Sequence, residues 1–241
     1  MPAPTRDDYR NAFVRESTID YPRVREHEGL MGRRLDPERL LAAAEVLACP
    51  VKTNPPNWQH GRVIYATLRN YLDNLPKSEV CSCFDIGTAK GFSALCMRWA
   101  LDDAGRTADF VISVDVVSPM LRVPRNTVAE VDGLKTLHET LTPWQESKRI
   151  RFWKGTGIEA LGTLPSTSRL NFAFVDGKHS YDAVSGEARL LGMLQRPGDI
   201  IIFDDTHIEG VRRAVDELDT RYAVTFLEIL PMRSYAIARR R

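Results

Sequence analysis

The sequence predicts an α/β protein with a doubly wound, mostly parallel seven-stranded sheet, a C-terminal antiparallel hairpin and an N-terminal helical cap. From residue 80 onward, short apolar runs bounded by turn residues alternate with segments of helical spacing. This alternation is typical of a parallel sheet covered on both faces. Two of the runs end in carboxylates, one at Asp176 and one at Asp204 and Asp205. Because parallel strands end at the same sheet edge, these carboxylates should lie close together at an edge that commonly binds ligands.

Length and composition favour one compact protein. Its 241 residues, 43% of them hydrophobic, can bury one large core, which we divide into a cap at residues 1–75 and a main domain at 76–241. The 33 basic and 32 acidic residues nearly balance, so no overall field favours nucleic acid or a membrane. No signal peptide or membrane-length apolar run is seen, and the four cysteines lack metal-type spacing. A reducing, cytoplasmic setting is therefore expected.

The N-terminal region is predicted to be mostly helical. A short helix is expected near residues 7–17, followed by an irregular segment to residue 35. Asp36 and Pro37 then provide an N-cap and a first-turn proline for a second helix. After a break at Asn54-Pro55-Pro56, a third helix should run over residues 57–75.

The main domain follows the alternation of strands and helices. Predicted strands cover residues 80–86, 110–114, 150–153, 170–175, 200–203, 223–230 and 234–238, the last two joined by a turn at Pro231-Met232-Arg233. Helical spacing marks residues 92–99, 126–141, 184–194 and 208–218.

A glycine loop joins the first strand to the helix after it. In the run Asp85-Ile-Gly-Thr-Ala-Lys-Gly-Phe-Ser93, the glycines permit a sharp turn and close approach of a ligand. The following helix offers N–H groups to a carboxylate or phosphate, and Asp115 ends the next strand, where an acid can bind ribose. The acid before the loop and the Gly-x-x-x-Gly spacing disfavour a dinucleotide pyrophosphate. S-adenosylmethionine, with an ammonium, a carboxylate and a ribose, suits the loop better; the plain alternative is a turn that binds nothing.

These motifs resemble those of class I S-adenosylmethionine-dependent methyltransferases. Within that class the chain is similar to the cation-dependent O-methyltransferases of the catechol type and of macrolide and aminocoumarin sugars. Residues 85–93 match their acid-x-Gly-x-x-x-Gly-aromatic-Ser motif, and Asp176, His179 and Tyr181 match their Asp-x-x-base-x-Tyr motif. Asp204 and Asp205 match the acidic or amide pair that ends the next strand. The resemblance covers about residues 60–238 and implies a Rossmann-like fold and a methyltransferase activity.

The resemblance also implies which residues contact the cofactor. These are Asp85, Gly87, Gly91, Ser93 and Asp115. Many relatives place an acid or serine after the third strand to meet the adenine, whereas this chain has Gly155-Thr156-Gly157. Thr156 is therefore the candidate adenine contact.

Three carboxylates at one sheet edge predict a metal site. Asp176, Asp204 and Asp205 would repel one another, which a divalent cation would relieve. Oxygen ligands favour Mg²⁺, with Mn²⁺ or Ca²⁺ as alternatives. The alternative for each acid is to cap a helix or to face water. His179 stands where the resemblance implies the general base, with Lys178 and His207 as rivals.

The sequence thus predicts a Mg²⁺-assisted O-methyltransferase acting on a hydroxyl of a small molecule such as a sugar or phenol. The alternatives are a metal-independent methyltransferase acting on nitrogen and a non-catalytic nucleotide-binding domain. The N-terminal helices and the loop at residues 116–125 would select the substrate, and the helices are a candidate homodimer interface. Residues 58–60 are either a lid over the cofactor or part of the core.

Overall fold

A seven-stranded sheet organises the fold, as the computed structural model shows for residues 3–52, 55–218, 220–230 and 232–241. Its strands are β1 (Ser82–Ile86), β2 (Phe110–Asp115), β3 (Ile150–Lys154), β4 (Phe172–Val175), β5 (Ile200–Phe203), β6 (Tyr222–Leu230) and β7 (Arg233–Arg240). They are ordered β3-β2-β1-β4-β5-β7-β6, and β7 runs antiparallel to both of its neighbours. The predicted mostly parallel sheet with a closing hairpin is confirmed. The predicted hairpin turn, Pro231-Met232-Arg233, includes Pro231, which lies outside the described residues.

The described helices flank this sheet. They are α1 (Arg6–Ser17), α2 (Pro22–Met31), α3 (Pro37–Leu47), α4 (Gln59–Asn74), α5 (Phe92–Asp103), α6 (Leu137–Thr140), α7 (Gly157–Thr163), α8 (Tyr181–Leu194) and α9 (Glu209–Asp216). Short 3₁₀ turns occur at Val128–Glu130 and Gln145–Arg149. None of the described helices is both long and apolar enough to span a bilayer.

The core lies on both faces of the sheet because successive strand residues point to opposite sides. In β4, Phe172 and Phe174 pack in the cluster that contains α4 and α5, whereas Ala173 and Val175 pack in the cluster that contains α8 and α9. All four side chains are buried, which explains why the strand is a continuous apolar run.

Strand register brings the functional loops to one edge. Ile86 of β1 pairs with Val114 of β2 and with Val175 of β4, and all three strands are parallel. The residues after these strands therefore emerge side by side. After β1 the chain adds β2 and β3 on one side of it, and then crosses over to add β4 on the other side. In doubly wound folds, ligands bind at the point where the strand order reverses in this way.

The prediction of an irregular segment to residue 35 is wrong, because α2 occupies its centre. Pro22 starts the helix and Gly32, with φ of 65°, ends it. Its buried face is partly polar: His27 bonds to Thr67 of α4, and Glu28 pairs with Arg62. These partners are distant in sequence, so apolar periodicity did not reveal the helix. The predicted break at 54–56 begins at Asn54, outside the described residues.

The predicted helix over residues 126–141 is also wrong. Asn126 and Gly133 adopt positive φ angles of 50° and 116°, which interrupt a right-handed helix. Only the 3₁₀ turn at Val128–Glu130 and the short α6 form there. Conversely, α7 was not predicted, although Thr156 and Glu159 form a capping box with the Thr-x-x-Glu spacing that marks a helix start.

A buried acid joins α4 to the sheet and gives a prediction about stability. Asp199 is fully buried and accepts hydrogen bonds from the Tyr71 hydroxyl at 2.7 Å and from Arg169 Nε at 3.0 Å. Asp199→Ala is expected to lower the free energy of unfolding in urea by about 3 kcal/mol, since it leaves the arginine without its buried partner. Asp20→Ala, which removes an exposed partner of Arg25, should cost less than about 1 kcal/mol. Equal losses in the two variants would contradict this account.

Candidate active site

Two cavities open at the carboxyl edge of the sheet and meet at Gly87, Ala89 and Asp176. The larger, of about 700 Å³, extends along the ends of β2 and β3 and the start of α8. The smaller, of about 260 Å³, extends under the N-terminal segments and holds Asp176, Asp204 and Asp205, which form the acidic cluster. We call the larger the cofactor cavity, after the ligand that the sequence predicts for this edge, and the smaller the acidic cavity.

The glycine loop lies between the two cavities. Gly87 has φ of 96° and its N–H donates to the Val114 carbonyl at 2.9 Å. Ala89 N–H donates to Asp115 Oδ2 at 2.8 Å. Gly91, with φ of 83°, is the N-cap residue of α5, and no side chain among the described residues caps this helix start. The loop is therefore fixed to β2, while N–H groups at the start of α5 are left for a ligand.

Asp85 lies beneath this loop and lines neither cavity among their described walls. It is fully buried, and the Ser113 hydroxyl donates to its Oδ2. Its Oδ1 has no hydrogen-bond partner in the described part of the chain. Burial raises the pKa of Asp85 to about 7. Direct contact of Asp85 with a cofactor therefore stays a prediction.

Of the other predicted cofactor residues, all but Gly91 line at least one of the two cavities. Asp115 lines the cofactor cavity, and its Oδ1 also accepts from Val117 N–H at 2.8 Å. Thr156 lines it too, but its hydroxyl is engaged in the capping box with Glu159 at the start of α7. Ser93 lines the acidic cavity. Gly91 appears in the described walls of neither.

The acidic cavity contains a close group of three ligand-type side chains. His179 Nε2 lies 3.2 Å from Asp176 Oδ1 and 3.5 Å from Asp205 Oδ2. Single donor atoms of these three residues lie within 4.8 Å of one another. Asp204 lines the same cavity and is buried, and its Oδ1 accepts from Asp205 N–H at 2.7 Å. The structure thus brings Asp176 and Asp205 together with His179 between them, whereas Asp204, the third predicted ligand, lines the same cavity outside this close group.

The electrostatics of this group favour a positive partner. Burial first, and then the charges of Asp176 and Asp205, raise the pKa of Asp204 well above its ordinary value. Burial also raises the pKa of Asp176, and its hydrogen bond with His179 opposes that rise. The same bond is the main cause of the raised pKa of His179. A divalent cation would remove the repulsion among the carboxylates, so the donor set fits such an ion.

Nearby histidines and Trp58 have distinct surroundings. His60 lines the acidic cavity, stacks on Phe174 with ring centroids 5.8 Å apart, and has its pKa lowered by burial to about 3, so the ring is neutral. His207 Nδ1 lies 3.8 Å from Asp205 Oδ1 and makes no hydrogen bond within the described residues. Trp58 is buried with its ring centroid 5.5 Å from that of Phe13. Trp58 was predicted to be either part of a lid over the cofactor or part of the core, and the structure places it in the core.

The sequence matches a family model described as a methyltransferase domain over residues 84–206, which is 123 of the 241 residues. The chain belongs to this methyltransferase family. The matched segment contains the glycine loop, both cavities' strand ends and the acidic cluster, and the prediction of a methyltransferase is confirmed. A comparison with curated protein sequences gave no match.

Solved structures share the fold of this methyltransferase. An O-methyltransferase from Bacillus cereus in complex with SAH is 14% identical, with 93% of each chain covered and a TM-score of 0.59. TomG, an O-methyltransferase from Streptomyces achromogenes involved in tomaymycin synthesis and solved with SAM, is 16% identical, with 86% of this chain and 91% of TomG covered and a TM-score of 0.59. The SAH-bound methyltransferase PaMTH1 from Podospora anserina is 15% identical, with 100% and 98% covered and a TM-score of 0.55.

Sequence reasoning missed one residue in the cofactor cavity of this methyltransferase. Glu187 of α8 lines the cavity, is 3% exposed, and has no hydrogen-bond partner for Oε2 among the described residues. Burial raises its pKa to about 7. The signal was present in the sequence, since Glu187 interrupts the apolar face formed by Val184, Ala188 and Leu191.

The raised pKa of Glu187 predicts a pH-dependent stability difference. An acid whose folded pKa rises from 4.5 to about 7 destabilises the fold progressively as pH increases between these values. Glu187→Gln removes this effect, so its free energy of unfolding relative to wild type should rise by about 2 kcal/mol between about pH 5 and about pH 8. Urea unfolding at both pH values measures it. The exposed Glu209→Gln is the control, and a similar pH trend there would contradict the assignment.

Proposed function

We propose that this methyltransferase transfers the methyl group of S-adenosylmethionine to a hydroxyl of a small molecule with the assistance of a divalent cation. The observation that carries the proposal is the meeting of the two cavities at Asp176. One cavity has a glycine loop and a strand-end acid, and the other has the acidic cluster. A methyl donor and a hydroxyl acceptor bound in them would meet where the cavities join.

The cofactor cavity suits S-adenosylmethionine in three respects. Asp115 is available to ribose hydroxyls at the end of β2, and the uncapped start of α5 suits a carboxylate. The positive φ of Gly87 lets a ligand approach the loop backbone. The Bacillus cereus and Streptomyces achromogenes O-methyltransferases, solved with SAH and SAM, give further support.

The acidic cavity suits a divalent cation held by Asp176, Asp204 and Asp205. When bound, such an ion lowers the pKa of a hydroxyl group next to it. His179 is the proposed general base: its Nε2–H donates to the Asp176 carboxylate at 3.2 Å, which leaves Nδ1 as the nitrogen that can take the hydroxyl proton. The Asp176 carboxylate orients this ring and stabilises its protonated form.

The position of His179 also allows a different role, because it completes the group of ligand-type atoms with Asp176 and Asp205. The two roles predict different binding behaviour. If His179 is the base, His179→Ala keeps Mg²⁺ binding and loses turnover by roughly 100-fold or more. If His179 is a metal ligand, His179→Ala weakens Mg²⁺ binding as well as turnover.

Calorimetry with S-adenosylhomocysteine, with and without Mg²⁺, tests the proposal on wild type and on the Asp204→Ala/Asp205→Ala variant. The expected result is that wild type binds both and the variant loses only Mg²⁺. Cofactor binding without any Mg²⁺ binding would replace the cation-assisted reaction by a metal-independent one that uses the His179–Asp176 pair. Absence of cofactor binding would overturn the proposed activity.

A further inference from the structure

Glu187 lines the cofactor cavity with a carboxyl group whose Oε2 has no hydrogen-bond partner among the described residues. Its side chain is 3% exposed, and burial raises its pKa. Buried polar groups are nearly always hydrogen-bonded, and one left alone costs stability. A carboxyl group kept in this condition at a cavity wall is a candidate ligand contact.

Two glycines place this carboxyl group at the wall formed by the loops after β3 and β4. A Cβ atom on Gly157 would lie 2.4 Å from Glu187 Oε1, and one on Gly177 would lie 3.9 Å from it. Both glycines line the cofactor cavity. A side chain at position 157 would therefore collide with the carboxyl group, and glycine leaves it open to the cavity.

The layout of the cavity determines which part of the cofactor reaches this wall. In the proposed function the reacting end would lie where the two cavities join, at Gly87 and Asp176, and the ribose would lie at Asp115. The part of the cavity that remains includes Gly157, Ile158 and Glu187 in its wall. In S-adenosylmethionine the group beyond the ribose is adenine.

Apolar side chains at this wall suit a flat ring. Val116 and Ile158 line the cavity and are 64% and 41% exposed, which is high for large hydrophobic residues. A bound purine would cover apolar surface there while its edge meets a polar group, which is the usual composition of a small-molecule site.

We propose that Glu187 recognises the adenine by accepting a hydrogen bond from its exocyclic amino group. The inference rests on the proposed cofactor and adds the residue that specifies its base. A carboxylate favours the 6-amino group and disfavours a 6-oxo purine, whose oxygen is an acceptor and cannot donate to it.

The test compares S-adenosylhomocysteine with S-inosylhomocysteine, which carries a 6-oxo group, by calorimetry. Measured at about pH 9, where the Glu187 side chain is ionised despite its raised pKa, wild type should prefer the adenosyl compound by roughly 100-fold, because the 6-oxo oxygen cannot donate to the buried carboxylate. In Glu187→Gln the amide can donate to the oxo group, so the preference should fall by about tenfold or more. Glu187→Leu should bind both compounds about equally and S-adenosylhomocysteine at least about tenfold more weakly than wild type. Thermal unfolding of both variants shows whether they are folded.

The outcomes separate this inference from the proposed function. A wild-type preference that is unchanged in both folded variants would overturn the role of Glu187 and leave the cofactor assignment intact. Equal binding of the two compounds by wild type would do the same. Wild type that binds neither compound would overturn the proposed cofactor, and the inference with it.

Discussion

Replacement of Asp205 by asparagine is expected to lower kcat/KM for methyl transfer by roughly 100- to 1,000-fold. Asp205 lines the acidic cavity, and one of its carboxylate oxygens lies within 4.8 Å of a donor atom of Asp176 and of His179. Its carboxylate supplies one of the negative charges that a divalent cation would neutralise. Asparagine keeps the shape and removes the charge. It also tolerates the positive φ of 51° at this position better than alanine does, so the backbone should stay in place.

Two measurements separate loss of the cation from loss of the fold. Mg²⁺ binding by calorimetry should weaken by a similar factor, and excess Mg²⁺ should restore part of the turnover of a hydroxyl acceptor found by screening with labelled cofactor. S-adenosylhomocysteine affinity should change by less than about threefold, because the cofactor cavity does not include Asp205 among its described walls. Glu209→Gln removes an exposed acid four residues later and should leave all three quantities near wild type. Full activity of Asp205→Asn without Mg²⁺ would sink the cation-assisted mechanism.

The convergence of the site could be predicted from sequence because it follows from strand direction. Asp115, Asp176 and Asp204 each stand at or just after the end of a parallel strand, so their meeting at one edge needed only the order of strands and helices. The polar face of α2 could not be predicted in this way. Glu28 finds Arg62 only after α2 packs on α4, and such a pairing leaves no local period in the sequence.

Differences among the site residues depend on burial, hydrogen bonding and backbone conformation, which the sequence pattern does not reveal. Asp204 and Asp205 are adjacent, yet Asp204 is buried and bonded to the next backbone N–H, whereas Asp205 takes a left-handed conformation and faces His179. Thr156 is the predicted adenine contact because it follows β3, and the structure also shows its hydroxyl in a helix cap. Glu187, on the helix that follows β4, has a buried carboxyl oxygen without a hydrogen-bond partner among the described residues. Which side chain faces a cavity is decided by packing between elements.

Gly87→Ala is expected to abolish cofactor binding and to lower the free energy of unfolding by roughly 3 to 5 kcal/mol. A Cβ atom at this position would lie 2.0 Å from the backbone carbonyl oxygen of Asp176, and φ is 96°. Neither Gly87 nor the Asp176 carbonyl can move freely, because Gly87 N–H donates to the Val114 carbonyl of β2 and Asp176 N–H donates to the Ile86 carbonyl of β1. A shift of about 1 Å here would also misplace the reacting groups by enough to lose about 100-fold in rate.

Gly29→Ala provides the matched comparison for this substitution. Gly29 lies within α2, and an added Cβ there would meet nothing within 4 Å. Alanine is the better helix former, so this variant should gain about 0.5 to 1 kcal/mol in urea unfolding and keep wild-type affinity for S-adenosylhomocysteine. Replacing glycine by alanine should therefore lower the free energy of unfolding at position 87 and raise it at position 29. The backbone of Gly87 is held against Asp176, whereas an added Cβ at Gly29 faces open space. If Gly87→Ala binds S-adenosylhomocysteine like wild type, the loop does not carry the cofactor, and the meeting of the two cavities at Asp176 loses its proposed meaning.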